Sequence, residues 1–313
     1  MIENNTTAAS NASTSLQKAI NVNIMVVQVL IGIFLSINFL LILTFFRREI
    51  FYTNARYILF AHTLLADSLY LILTNFLLNL IYFRITLPAW LCLIICTVLL
   101  VLTFVTPLTL TAMSLERYVA ICMPLRHGEL STPRRAIHCI FIIHSLSSIQ
   151  AIITDSIFFA SVPLAFYVQY RLCTVEMLVI HPWQGHLTSA ISQFYFLVMS
   201  VTIVFIYVKI MSVAKEVSVE NNTSTSKGLR TVILHGFQLI LCLIQLWCPF
   251  VETAIIQIDL RLYVDVRYSN YIAFILAPRC LSPLVYGLRD DKFYHALKEI
   301  IFCGFRRIHL FVR

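Results

Sequence analysis

Apolar residues in this chain do not alternate, nor do they recur every third or fourth position. They run in seven long stretches, at about 24–46, 56–82, 89–122, 135–159, 187–212, 230–257 and 268–287. About 18 apolar residues are enough for a helix to cross the hydrocarbon of a bilayer. Backbone groups in lipid must be satisfied internally, which leaves helices or a closed barrel. Unbroken runs, rather than alternation over about ten residues, select helices. The pattern therefore predicts an all-α membrane protein, a bundle of seven transmembrane helices with short connections, so that neighbouring helices are antiparallel. The longest connection, 160–186, carries Cys173, Trp183 and two prolines.

Beyond the last run, residues 288–303 predict a short amphipathic eighth helix lying on the membrane. Asp290 and Asp291 sit at its start, where the helix dipole favours anions. Phe293, Leu297, Ile300 and Ile301 share one face, away from Lys292, His295, Lys298 and Glu299. Cys303 is either a palmitoylation site or a plain buried cysteine. The chain thus divides into a polar tail at 1–23, a membrane domain at 24–287, and a helix and tail at 288–313. No tail or loop has room for a second domain.

Composition agrees. Of 313 residues, 59% are hydrophobic and 12% charged, against about a quarter charged in soluble domains. The net charge of +8 raises nucleic acid as a partner, and its placement removes it. With the N-terminus outside, sixteen Lys and Arg fall in inner segments, from Arg47 and Arg48 to Arg313, against five outside (Lys18, Arg84, Arg171, Arg261 and Arg267). This is the positive-inside bias, with lipid headgroups as the contact. The tail has no cleavable signal peptide. Asn4, Asn5 and Asn11 each begin an N-x-S/T sequon, which favours a glycosylated outer N-terminus. Asn221 and Asn222 are also sequons, but this orientation puts them in the cytosol. The Ser/Thr cluster at 223–226 beside them is either a phosphorylation target or a flexible polar loop.

Polar residues inside the runs carry the chemistry. Glu116 and Arg117 stand where the third run leaves the lipid, and charge at that depth is costly unless paired. Asp67 and Arg279 lie inside the second and seventh runs, and Asp155 inside the fourth. Opposite charges in a low-dielectric core should pair, so an Asp67–Arg279 salt bridge is expected; the alternative is that Arg279 pairs elsewhere or snorkels. Thr106 and Ser282 are available to hydrogen-bond it. Pro249 removes a backbone donor and leaves the Gln245 carbonyl open, kinking the sixth helix beside Trp247. That ring is either a lever between ligand and inner helix end or simply a core tryptophan. Pro107 and Pro283 mark other deformable points.

In order along the chain stand Asn38, Leu64-Leu65-Ala66-Asp67, Cys92, Glu116-Arg117-Tyr118, Tyr207, Trp247-Cys248-Pro249 and Ser282-Pro283-Leu284-Val285-Tyr286. Together they resemble the class A (rhodopsin-like) G-protein-coupled receptors across nearly the whole chain. The run from Met113 to His127 is similar to the odorant-receptor exit of the third helix, and Pro283 to Asp290 to their exit of the seventh. Ser-Leu-Glu at 114–116, in place of the mammalian Ala-Tyr-Asp, resembles fish odorant receptors most.

The resemblance implies several roles. Glu116 holds Arg117 at rest, and activation frees Arg117 to meet Tyr207, Tyr286 and the G protein. The plainer reading is an interfacial ion pair capping a helix. The sixth helix, with Lys227, Leu229 and Arg230 at its inner start, offers no second acid. Cys92 and Cys173 form the disulfide between third helix and outer loop, with Cys96 one turn deeper. The Asp67–Arg279 pair would stand where most relatives bind sodium. The ligand pocket would lie in the outer half among helices three, five, six and seven. Candidates by facing are Leu99, Leu100, Thr103, Phe104, Gln193, Phe250, Val251, Glu252, Tyr271 and Phe274. Mostly apolar, this wall suits a small, weakly polar molecule. Glu252 either binds a cationic or hydrogen-bonding ligand or points to the outer water. Asp155 matches no family mark, and the usual fourth-helix tryptophan is missing.

The implied function is a chemosensory receptor that binds an odorant and activates a heterotrimeric G protein of the stimulatory olfactory type. It would sit in the plasma membrane, in olfactory neuron cilia, with no cofactor, no metal and no covalent chemistry. A class A receptor for another small ligand is the alternative. A transporter or channel would need polar residues tracking through several helices, or internal repeats. A retinal photosensor needs a lysine in the seventh helix, and Arg279 stays protonated. No HExxH, GxSxG or paired intramembrane aspartates suggest a protease.

Overall fold

The computed structural model describes residues 2–217, 233–234, 236–238, 240–242, 244–281 and 293–299, with backbone alone at 2–19, 182, 214–217, 246, 249–250, 253 and 260. Five helices among these are long and apolar enough to cross a bilayer, and parts of a sixth and seventh follow.

Each helix starts where the local chemistry sets it. Asn54 caps the second span, Ala55–Tyr82, by accepting from the Arg56 N–H at 3.1 Å. Pro88 precedes the third, Ala89–Cys122. Thr132 caps the fourth, Pro133–Ser161, accepting from the Arg135 N–H with Pro133 in the first turn. The fifth runs Pro182–Val217. The first is longer than expected. Its helix begins at Ile2 and continues to Arg47, taking in the polar tail; no Gly or Pro interrupts the chain before Gly32. The seventh also starts early, at Leu260 rather than 268. Asp259 accepts from the Arg261 N–H at 2.8 Å, and this capped, charged first stretch extends past the apolar run that marked the span.

The third span is the axis. Half of its most apolar window is buried, against 17% for the fifth, and it packs on the second, fourth and fifth spans. Its outer half joins Tyr70, Leu77 and Phe158 in one core cluster. Its inner half gives Leu110 and Met113 to another, with Phe51, Tyr57, Phe60 and Phe293. Hydroxyls in the spans donate back to the carbonyl four residues earlier, as Thr63, Thr109 and Ser114 do at 2.7–3.0 Å, so they cost little in lipid. Large apolar side chains such as Ile72, Phe141, Ile152, Phe194 and Val204 face outward, where lipid is the solvent.

The outer loop is not irregular throughout. Tyr170–Leu172 (β2) pairs antiparallel with Thr86–Pro88 (β1), Thr86 opposite Leu172 and Pro88 opposite Tyr170. On the inner side, a short helix Pro124–Leu130 follows the third span. Residues 293–299 are helical. Phe293 is buried, its ring 5.0 Å from that of Phe51 and 5.5 Å from that of Phe60. Glu299 pairs with Arg48. This helix is thus docked on the inner ends of the first two spans. Asp290, Asp291, Ile300, Ile301 and Cys303 lie outside the described residues.

Candidate functional site: a buried ionic core and a Glu-Arg-Tyr seat

Asp67 and Arg279 come together in the middle of the bundle. Arg279 Nε lies 3.6 Å from Asp67 Oδ1, and both side chains are at most 1% exposed. Thr106 donates to the same oxygen at 2.7 Å. The guanidinium lies over the Tyr70 ring, 3.6 Å from its centroid, a cation–π contact strengthened by desolvation. The Tyr70 hydroxyl in turn accepts from Gln245 Nε2 at 3.4 Å. One polar chain therefore ties the sixth, second, seventh and third spans. Asp67 Oδ2 and Arg279 Nη2 are buried without a hydrogen bond among the described residues, so the pair is imperfectly satisfied. Ser282 lies outside those residues.

Seven residues before Gln245 on the sixth span, Gln238 donates to the Pro278 carbonyl at 2.6 Å, joining sixth and seventh spans. Nearer the start of the second span, His62 Nε2 and His144 Nε2 are 2.9 Å apart across the second and fourth spans. Thr109 Oγ1 donates to the Val105 carbonyl and lies 3.4 Å from His62 Nδ1. With its own proton spent, that hydroxyl accepts from Nδ1–H. His62 Nε2 is then the acceptor and His144 the donor.

At the inner end of the third span, Glu116 has more partners than expected. Arg117 Nε is 4.0 Å from its Oε2. Closer are His127 Nε2 at 3.3 Å and the Ser131 hydroxyl at 3.4 Å, both on Oε1. His127 belongs to the short inner helix and Ser131 caps it, so the inner loop is fastened to Glu116. Tyr118 packs toward the fifth span, against Ile206 and Ile210, its ring 6.1 Å from that of Phe205. Tyr207 faces away, lining a groove of about 430 Å³ with Ile203, Gly236 and Ile240 between the fifth and sixth spans. Tyr286 and Pro283, with Lys227, Leu229 and Arg230, lie outside the described residues.

At the outer end Cys92 and Cys173 form a disulfide, with Cα atoms 5.4 Å apart. Such a bond, an axial third helix, an intramembrane ion pair and a Glu-Arg-Tyr seat at the inner exit occur here together. Residues 37–286 match the family described as 7 transmembrane receptor (rhodopsin family). The chain belongs to this family of G-protein-coupled receptors. Within it, the chain is 41% identical over 301 residues to Odorant receptor 131-2 of Danio rerio, covering 96% of this chain and 92% of that one. It is 29% identical to Galanin receptor 2a of the same fish, over 64% of this chain and 57% of the relative. Olfactory receptor 14J1 of Homo sapiens is 26% identical, with 61% and 60% covered.

Two expectations for this receptor need correction. Trp247 is 52% exposed, not a ring held in the core. Gln245–Trp247 is a 3-10 turn, in which the Cys248 N–H takes the Gln245 carbonyl that the proline was expected to leave open. The tighter turn advances each residue by about 120° instead of 100°, swinging Trp247 outward while Gln245 reaches Tyr70. Pro249 lies in the first turn of the helix that follows, Cys248–Ile256.

The pocket candidates also do not share one wall. Leu99 and Phe104 are buried, and the Phe104 ring is 5.1 Å from that of Tyr195. Thr103 donates to the Leu99 carbonyl, and Leu100 and Phe274 are half-buried. Gln193 is exposed; its neighbour Ser192 holds the inward position near Gln150. Val251 is also exposed, and the Phe250 side chain is outside the description. Glu252 accepts from Asn270 at 3.1 Å. The Tyr271 hydroxyl is 3.1 Å from Thr74 on the second span. A π-helical turn at Tyr271–Leu276 breaks the 3.6-residue phase on which the facing was assigned. Asp155, without a family counterpart, accepts from Thr97 of the third span at 2.9 Å.

Proposed function

We propose that this chain is an odorant receptor of the cell surface, binding a small, weakly polar molecule from outside and activating a heterotrimeric G protein, of the stimulatory olfactory type, inside. The observation that carries this is the similarity to Odorant receptor 131-2 along nearly the whole of both chains. The orientation is N-terminus outside, supported by the sixteen-to-five charge asymmetry and the outer disulfide. Asn4, Asn5 and Asn11 then carry glycans, and olfactory cilia are the working location.

The switch works by exchange of partners at Glu116. At rest the carboxylate is held by His127, Ser131 and Arg117, which fastens the inner loop to the third span. Ligand binding in the outer half favours a second arrangement in which the sixth helix moves outward. Arg117 leaves Glu116, and Tyr207 and Tyr286 complete its new surroundings. The Asp67–Arg279 core holds the second, third and seventh spans in one resting packing, in the place of a sodium ion. A ligand shifts this equilibrium only by its differential affinity for the two arrangements.

The test is cAMP in cells exposed to a panel of water-soluble odorants, with Arg117→Ala as control. A ligand response that disappears in Arg117→Ala at equal surface expression is expected. A full response in that variant would overturn the switch.

A further inference from the structure

Among the described residues at 233–242, the sixth span carries one carboxamide, Gln238, in an otherwise apolar stretch. Leu234 and Cys242, one turn to either side, pack into the core cluster of Leu110, Met113 and Phe60. Gln238 is 0% exposed, and its Nε2 donates to the Pro278 carbonyl at 2.6 Å. Pro278 is buried too and stands next to Arg279. The sixth span is thus tied by a directional bond to the backbone that carries the ionic core.

Further along the same span lies the 3-10 turn Gln245–Trp247, with Pro249 just beyond it. A 3-10 turn within a longer helix is a common hinge. Gln238 precedes it by seven residues, about 10 Å along the axis. A bend of about 20° at such a point moves Gln238 by about 3–4 Å. A displacement of that size breaks a hydrogen bond. Gln245 sits on the hinge itself, so its bond to Tyr70, at 3.4 Å, is disturbed far less.

We propose that Gln238 is the positioning residue that holds the sixth span closed, its bond to the Pro278 carbonyl made at rest and broken when the span swings out. The inference rests on the outward movement in the proposed switch and adds the contact that sets how often that movement occurs without ligand. A freed carboxamide in an apolar setting is costly, which keeps the closed arrangement populated. Glu116 grips the inner loop; Gln238 grips the helix that moves.

Gln238→Met keeps the side-chain length and removes the donor. Full-length receptor is read in two ways. One is ligand-free cAMP in cells at equal surface expression. The other is N-ethylmaleimide alkylation of a Leu234→Cys reporter, on the face packed against the core, followed in membranes by mass spectrometry. Both should rise in Gln238→Met, the cAMP signal about three- to twentyfold, the range spanned by interhelical hydrogen bonds inside membranes. Gln245→Met should move both less. Unchanged alkylation in Gln238→Met overturns the proposal, as does a larger effect from Gln245→Met. Faster alkylation with unchanged cAMP upholds the tie and overturns the proposed switch instead. Should Gln238→Met not reach the surface, Gln238→Asn, too short to reach Pro278, is expected to behave alike, and unchanged alkylation there refutes the tie.

Discussion

Replacing Arg279 by Met keeps the length and apolar stem of the side chain and removes its charge. Asp67 is then left at 0% exposure with Thr106 as its one hydrogen-bond donor among the described residues. Removing one partner of a buried pair costs about 3–5 kcal/mol, because the remaining charge is stranded. Arg279→Met should therefore lower the midpoint of thermal unfolding in detergent by about 6–10 °C, at about 2 °C per kcal/mol for a chain of this size. Asp67→Asn strands the cation instead. The Tyr70 ring still faces it, so its loss should be smaller. The double variant strands neither charge, since the carboxamide introduced by Asp67→Asn can keep the Thr106 contact. It should recover most of the loss, because neutral replacement of a buried pair is often without cost. Fluorescence-detected unfolding of all four proteins gives the coupling energy directly. Additive losses, with the double variant worse than either single one, would sink the idea that these charges hold each other.

Three further outcomes follow from the same geometry. His127→Ala removes the nearest partner of Glu116 from a third-exposed position; a contact of about 1 kcal/mol predicts roughly fivefold higher ligand-free cAMP, and an unchanged basal level argues against the loop lock. His144→Ala leaves the His62 Nε2 lone pair without its donor. About 1–3 kcal/mol of stability should go, restored in part by His144→Gln, which can donate; a Gln variant as unstable as the Ala one contradicts the assigned tautomer. Endoglycosidase should shift the gel mobility of the receptor, and Asn4, Asn5 and Asn11→Gln together should abolish that shift while Asn221→Gln leaves it, unless the orientation is reversed.

Hydropathy made the spans legible because transfer of an apolar run into lipid depends on composition and length, not on partners. Glu116, Arg117, Asp67 and Arg279 were legible for the complementary reason, since a charge inside such a run demands explanation. The partners of those charges were not. Tyr70 looks like any core aromatic until a guanidinium is placed on its ring, and His127 like any basic loop residue until the inner helix folds it back on Glu116. Rotation about the helix axis was the other blind spot. The facing of Trp247, Gln193 and Tyr271 was assigned on a uniform 3.6-residue phase. A 3-10 turn at Gln245–Trp247 and a π turn at Tyr271–Leu276 each reset that phase locally. Neither turn carries a hydropathy signature. The β1–β2 pair is three residues a side, too short for a period-two pattern to register.

The ionic core and the Glu-Arg-Tyr seat share one element, and this gives them a physical means of coupling. Thr106 binds Asp67, and Glu116 lies ten residues further along the same helix, about 15 Å inward. Between them Pro107 lacks the N–H that would tie it to Thr103, and Thr111 bonds back to the Pro107 carbonyl at 2.9 Å. The third span is therefore softest next to the residue that joins it to the ion pair. A ligand that changes the packing of the outer half strains this point first. If Thr106 lets go of Asp67, the inner half of the helix can rotate as a unit, carrying Glu116 away from His127 and Ser131. On the proposed switch the reverse also holds: a G protein that captures Arg117 would favour the same rotation and so tighten ligand binding by the same factor. Thr106→Val, which keeps shape and removes the donor, should weaken the resting state at both ends at once. It should raise basal cAMP and lower the ligand concentration for half-maximal response together, and a change in one without the other would separate the two sites.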